Sequence, residues 1–288
     1  MTESLYIIGN GFDLLHSLPT SYEDFYNYSH AYRTDIECYY SFKSNDKNHW
    51  CDFENDLSTF EWEFFLDCFN EIDINSDDFK LSHLYGLEDD IAHESENHIS
   101  LIRREFCGWI NSIDVTSTTK RVALDLNSKF INFNYTSTLE KIYGIKRDNI
   151  NYIHGNADEY DDLVFGHGVN IDENHQIDIY GDSNRTLFTD AQNSAKHPLH
   201  ALKKPVNEII LNNAAYFKLL ATIKNVIVIG HSINKIDQPY FRCIAQNTPK
   251  AKWTVFYYKN EQIPFFLDAL HNCGVYKTNI EFRSCDDL

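Results

Sequence analysis

A chain of 288 residues with 43 acidic against 25 basic side chains carries a formal net charge of −18. That balance excludes broad contact with a nucleic-acid backbone, whose partners present a basic face, but it allows a local pocket for a small anion. A hydrophobic fraction of 43% and an aromatic fraction of 15% exclude a disordered chain and supply ample core material.

The first element is a short apolar run, Leu5 to Ile8, that breaks into Gly9-Asn10-Gly11-Phe12-Asp13. This pattern predicts a buried strand ending in a tight turn, the place where an α/β sheet holds a nucleotide's phosphates or ribose. The third glycine of a full dinucleotide fingerprint is missing; the same turn is also compatible with a plain strand-to-helix connection. Next, Thr20-Ser21-Tyr22-Glu23 after Pro19 reads as a capping box opening a helix. No convincing strand follows until about residue 125. Instead Phe53, Leu57, Phe60, Phe64 and Cys68 step at helical spacing, as do Ile99, Ile102, Phe106, Trp109 and Ile113. This predicts a large helical insertion at about 20–125, its aromatic stripes serving as core.

Strands resume at Phe130 to Phe133, which carries Asn132-Phe133-Asn134-Tyr135-Thr136 into a helix from Ser137 to Tyr143. Ile150 to Ile153 leads to His154-Gly155, and Leu163 to Phe165 leads to Gly166-His167-Gly168. A second insertion, at about 170–222, holds a polar loop and a helix beginning near Pro205, a good first-turn residue. Val226 to Ile229 then ends in Gly230-His231-Ser232 with Asp237 close behind; Trp253 to Tyr258 and a run near Asn279 to Phe282 complete the series. Most runs do not alternate, the mark of strands covered on both faces. The expected fold is α/β: a Rossmann-like, mostly parallel sheet of about six strands, in one domain spanning 1–288, with the large helical insertion after the first strand. The seven cysteines, at 38, 51, 68, 107, 243, 273 and 285, include no Cys-x-x-Cys, which argues against structural zinc and a disulfide framework. No stretch approaches the ~18 apolar residues of a membrane helix. The opening Met1-Thr2-Glu3-Ser4 has no signal-peptide character, so a soluble, cytoplasmic protein without a membrane partner is expected.

The polar motifs share one feature: each ends a strand. In a parallel sheet the carboxyl ends of the strands form one edge, where ligands bind, so these motifs predict a single site. His154 is the candidate general base, since histidine titrates near neutrality; the alternative is a cap on the last carbonyl of its strand. Asn134 can orient a water or an amide, or make an Asx turn into the next helix. Asp13 can hold a ribose hydroxyl or cap a helix. His231 can touch substrate or serve the turn, and Tyr135 can equally be packing.

The chain resembles the bacteriophage abortive-infection AbiH family. The resemblance runs from about residue 5 to 245 and rests on Tyr6-Ile7-Ile8-Gly9-Asn10-Gly11-Phe12-Asp13-Leu14 with His16 and Thr20-Ser21-Tyr22. It continues in order through Asn132 to Thr136 with Glu140, His154-Gly155, Gly166-His167-Gly168, and Gly230-His231-Ser232 with Asp237 and Tyr240-Phe241. It implies a role in defence against phage without fixing any chemistry. The order Gly-x-Gly, Asn-Tyr, His-Gly, Gly-x-Ser is more distantly similar to the core of sirtuin-like NAD hydrolases. That similarity implies that Gly9, Asn10, Gly11, Phe12 and Asp13 face the dinucleotide and that Asn134 and Tyr135 border the nicotinamide ribose. It further implies His154 as base, with Gly230, His231 and Ser232 holding the adenosine side. Two positions depart from that pattern: Asp13 stands where it has Ser or Thr, and Thr136 where it has Asp. A carboxylate at Asp13 would repel a pyrophosphate. The deacetylases' zinc module has no counterpart, so protein deacylation is not implied.

The expected activity is therefore hydrolysis of NAD or a related nucleotide at the glycosidic bond, by Asn134 and His154, with the nucleotide as substrate or ligand and no prosthetic group. A phage or host trigger protein and a homo-oligomer are compatible partners. A metal-dependent phosphoesterase or nuclease would draw on Asp13, His154, His167 and His231, but the sequence lacks clustered carboxylates and Asp-x-His spacings, so no metal ligand is assigned. A nucleotide-sensing or scaffolding protein that has lost catalysis is the third reading.

Overall fold

The unalternating apolar runs become one six-stranded sheet in the computed structural model, which describes residues 3–45, 49–159, 162–171 and 183–288. The strands are β1 (Ser4–Ile8), β2 (Lys129–Asn132), β3 (Ile150–Tyr152), β4 (Asn225–Ile229), β5 (Lys252–Tyr257) and β6 (Ile280–Ser284). Every neighbouring pair is parallel, and the spatial order is β3-β2-β1-β4-β5-β6. This is the order of dinucleotide-binding sheets, whose direction of winding reverses between the first strand and the fourth.

The helices among the described residues are α1 (Asn10–Leu15), α2 (Tyr22–Tyr28), α3 (Arg33–Glu37), α4 (Phe53–Asp56), α5 (Trp62–Phe69) and α6 (Leu81–Asn111). They continue with α7 (Thr138–Lys141), α8 (Thr189–Ala201), α9 (Val206–Asn212), α10 (Ala214–Leu219), α11 (Gln238–Asn247) and α12 (Gln262–Asn272). None is long and apolar enough to cross a membrane.

Two compact units emerge. One comprises Met1–Asp24, Cys107–Val164 and Pro205–Leu288; the other comprises Phe25–Phe106 and Phe165–Lys204. In the first, the period-two pleat explains why the strand sequences do not alternate. Leu5, Ile7, Val226, Val228 and Val255 bury one sheet face against Phe217, Tyr240, Phe241 and Leu270 of the flanking helices. Tyr6, Ile8, Phe130, Ile150 and Ile229 bury the other face against Phe12, Leu139 and Tyr143. The strand β6 closes one side and carries an ion pair between Glu281 and Arg283 at 2.8 Å, a charged edge that discourages further strand pairing.

Among the described residues of the second unit there is no strand of the sheet. Its aromatic side chains form its own core: Phe25 meets Trp50, Phe53 and Phe106 at ring distances of 5.2, 5.0 and 5.5 Å. Buried Lys204 pairs with Glu54 at 2.7 Å, and the same carboxylate accepts from the Gly166 amide at 3.3 Å. Residues of both expected insertions thus contribute to this unit.

Four local readings change. Leu163 to Phe165 is not a strand: Val164 donates a backbone bond to the His154 carbonyl at 2.9 Å, while Phe165 stacks on Phe106 at 4.0 Å. Aromatic packing takes the residue that would have continued a ladder. The helix cap lies one residue later than Thr20, because Ser21 and Asp24 exchange bonds, Ser21 N to Asp24 Oδ2 at 2.9 Å and Asp24 N to Ser21 Oγ at 3.2 Å. The helical stripe from Phe53 to Cys68 breaks at Phe60, whose ψ of 120° ends one helix before α5 begins; Phe65 is then buried and Phe64 exposed. The helix after β2 shortens to the single turn of α7 with Ser137 as N-cap. Pro205 precedes α9 as its N-cap. Most of the expected polar loop, residues 172–182, lies outside the described residues.

Candidate functional site

The turn after β1 is built by close backbone approach to the end of β4. Gly9 and Gly11 donate their amides to the carbonyls of Ile229 and Gly230 at 3.0 and 2.8 Å. A Cβ on Gly9 would stand 2.7 Å from the His231 Cα, and one on Gly11 would stand 2.7 Å from the Gly230 Cα. Gly230 itself has φ +70° and would meet the Phe12 nitrogen at 2.2 Å. Only glycine fits where two backbones interlock this tightly. The motif glycines thus join β1 to β4, and their amides are committed to that junction. Asn10 is exposed, and its side-chain amide donates to the Thr20 carbonyl at 2.6 Å. Phe12 is fully buried in the core beside His16 and Tyr143.

Asp13 points into the turn after β2. It is 1% exposed and accepts from Thr136 Oγ1 at 2.6 Å and Thr138 Oγ1 at 2.8 Å. Burial raises its carboxyl from 3.8 to about 6, against the opposing help of Thr136, Thr138 and the nearby Asn134 side chain. Asp13 and Thr136, the two departures from the sirtuin-like pattern, are therefore one hydrogen-bonded pair. His16 completes the same saturated region: its Nδ1–H donates to the Phe12 carbonyl at 2.7 Å and its Nε2 accepts from the Tyr143 hydroxyl at 2.7 Å. Burial holds this histidine below its ordinary value.

Asn134 follows β2. Its backbone amide donates to Asn132 Oδ1 at 3.2 Å, its side chain is buried, and its Nδ2 meets no acceptor in hydrogen-bonding geometry. The neighbouring Tyr135 donates its hydroxyl to the Val164 carbonyl at 3.0 Å, with its ring stacked 6.3 Å from that of His154.

His154 leaves β3 and is 2% exposed. Its Nε2 lies 4.0 Å from Asp237 Oδ1, and His231 Nε2 lies 3.6 Å from Asp237 Oδ2. Asp237, N-cap of α11 without a side-chain cap bond, thus stands between two imidazoles delivered by different strands. The His231 Nδ1 accepts from the Ile233 amide at 2.9 Å, which places that ring's proton on Nε2, toward the carboxylate. Ile233 is buried with φ +51°, a left-handed conformation that strains a β-branched residue and holds this loop in shape. Phe133 packs edge-on between the histidines, 5.3 Å from His154 and 4.3 Å from His231, and Tyr240 lies 5.6 Å from His154.

On the β4–β5 side of the same edge opens a cavity of about 610 Å³, bounded by Gly11, Gly230, His231 and Ser232 and by Leu14, Phe256, Tyr258 and Gln262 among others. That volume suits a nucleotide-sized ligand. His167 belongs to the helical unit, with Nε2 bonded to the Leu199 carbonyl at 2.8 Å and Nδ1 accepting from the Val169 amide at 3.2 Å. Among the described residues, no three His, Cys, Asp or Glu side chains converge as a metal would require.

Known proteins can now be set beside this geometry. The family model described as bacteriophage abortive infection AbiH matches residues 5–257, a span that contains every residue of the edge just named except Tyr258 and Gln262. The chain belongs to the AbiH family. No curated protein and no solved structure matched the chain. AbiH membership supports a role in abortive-infection defence against bacteriophage.

Three features of this AbiH site stood outside the sequence-based assignment. Asp237 was noted in its motif but given no role, because only the fold brings it between His154 and His231. Phe133 reads as a strand residue, and its place between the two rings is likewise tertiary. The cavity residues Phe256 and Tyr258 end β5, so the strand-end rule applied to that strand would have found them.

Proposed function

We propose that this protein defends against phage by hydrolysing the glycosidic bond between base and ribose in NAD or a related nucleotide. The observation that carries the reading is the gathering of His154, Asp237 and His231 at the carboxyl edge of a sheet wound in dinucleotide-binding order, with Asn134 in the chain between Phe133 and Tyr135, whose rings neighbour that of His154. In such a hydrolysis the bond from the base nitrogen to C1′ breaks through an oxocarbenium-like state, and a water oxygen bonds to C1′. Asn134, a buried side chain in the turn after β2, orients that water. His154 takes the water's proton, and the Asp237 carboxylate stabilises the imidazolium that results. His231 holds the other carboxylate oxygen in place. The nucleotide is substrate, not a redox cofactor, and no prosthetic group is required.

Two observations favour this over the alternatives. Both Asp13 carboxylate oxygens are engaged by Thr136 and Thr138, so the departures at Asp13 and Thr136 form a structural pair, and Asp13 is not among the residues lining the cavity. A metal-dependent phosphoesterase finds no converging donor set among the described residues. The test is incubation of the purified chain with a panel of nucleotides, with and without divalent metal, reading free base by chromatography. Base release that persists in chelator is expected. No consumption of any nucleotide would overturn the catalytic reading, and release of phosphate that requires metal would replace it.

A further inference from the structure

The β1–α1 turn and the cavity beside it differ from a phosphate-binding site in ways that bear on the ligand. The Gly9 and Gly11 amides, which a pyrophosphate would need, already donate to Ile229 and Gly230. The space a side chain would take on each glycine is filled by His231 and Gly230, so the glycines serve the β1–β4 junction. The helix behind them, α1, has six residues and carries the acidic Asp13 in its first turn, opposing rather than adding to its small dipole. No Lys or Arg is among the described residues lining the cavity, and no Asp or Glu either. Its walls are mainly aliphatic and aromatic, with Ser232, Gln262, Cys285 and the imidazole of His231 as polar groups. A chain of net charge −18 further disfavours the approach of an anion.

From these observations we infer that the cavity recognises an uncharged, planar heteroaromatic base with its ribose, and that the phosphates of a nucleotide contribute little to binding. Leu14, Phe256 and Tyr258 supply apolar and aromatic surface for a base, and Gln262, whose Oε1 accepts from the Tyr258 and Lys259 amides at 2.9 and 3.0 Å, has its side-chain N–H donors for the base's edge. The inference rests on reading this edge as a nucleotide site but not on the catalytic step, so the two can fail separately.

The test is calorimetric titration of the full chain with adenosine, AMP, inosine, IMP and NAD, at low and physiological salt. Each nucleoside is expected to bind within about threefold of its own phosphate ester, with little change across the salt range, since few charges are neutralised. Tyr258→Ala, at a position 76% exposed and so harmless to folding, should weaken nucleoside binding about tenfold. Leu14→Trp, at a half-exposed wall position, should block it. Phosphate esters binding more than about thirtyfold tighter than their nucleosides, with affinity falling steeply in salt, would overturn the inference, even if the wild type consumed NAD. Absence of nucleoside binding up to about 1 mM would overturn it as well. Nucleoside binding without release of base would support it while removing the hydrolase reading.

Discussion

Two groups of buried polar residues stand on the sheet's carboxyl edge, one joining the loops after β1 and β2 and the other joining the loops after β3 and β4, and they are arranged differently. In the first, Asp13 holds two threonine hydroxyls at 2.6 and 2.8 Å, and His16 holds a carbonyl and a tyrosine hydroxyl, both at 2.7 Å. In the second, His154 and His231 stand 4.0 and 3.6 Å from the Asp237 carboxylate, separations wider than a hydrogen bond. Saturated short contacts specify one structure and resist change. His16 ends α1 inside the saturated group, whereas His154 leaves β3 beside the Asp237 carboxylate, the position from which the proposed function draws its base.

Substitutions can break this contrast. His154→Ala should lower turnover of the nucleotide by about 10²- to 10⁴-fold with little loss of stability, measured by base release and by chemical denaturation. Asn134→Ala should also reduce turnover. If both variants keep wild-type protection against phage, the second group is no catalytic site, and a sensing or scaffolding role takes its place. Gly230→Ala should instead unfold or destabilise the protein by about 3 kcal/mol or more, since strain at positive φ adds to a backbone clash; wild-type stability in denaturant would refute the interlocked turn.

The saturated group makes a pH prediction. With its folded value near 6 and its unfolded value near 3.8, Asp13 favours the folded state fully below about pH 4, and this contribution is lost as pH rises through 6. The loss is about 3 kcal/mol for a carboxyl fully removed from water. Denaturation from pH 4 to 7 should therefore show this fall in the wild type and a smaller one in Asp13→Asn; equal slopes would remove Asp13 from the account. Smallest, Thr138→Val should cost about 1–3 kcal/mol by leaving a buried carboxylate oxygen without its donor. A neutral result would make that group as loosely arranged as the other.

Much of the scaffold was legible in the chain. The five strands from β1 to β5 each contain an apolar run, because a strand covered on both faces buries successive side chains, and that is a local property; β6 alternates Ile280, Phe282 with Glu281, Arg283, as an edge strand does. Glycines and histidines at strand ends were legible for the same reason. Less visible was how those glycines are used: their spacing matches a phosphate turn, yet in the fold they face the backbone of β4. The run Leu163 to Phe165 had the composition of a strand and lost Phe165 to a stack on Phe106, a contact no local pattern contains.

By itself, then, the sequence determined the strands, the polar residues that end them and the family to which the chain belongs, all of which reside in short contiguous segments. Tertiary structure alone decided the partners. Thr136 meets Asp13 across 123 positions, and His154 and His231 meet at Asp237 because β3 and β4 both end on the edge from which α11 begins. The physical reason is that periodicity records whether a residue is buried, whereas what it is buried against depends on strand order, and strand order is settled only when the whole sheet assembles.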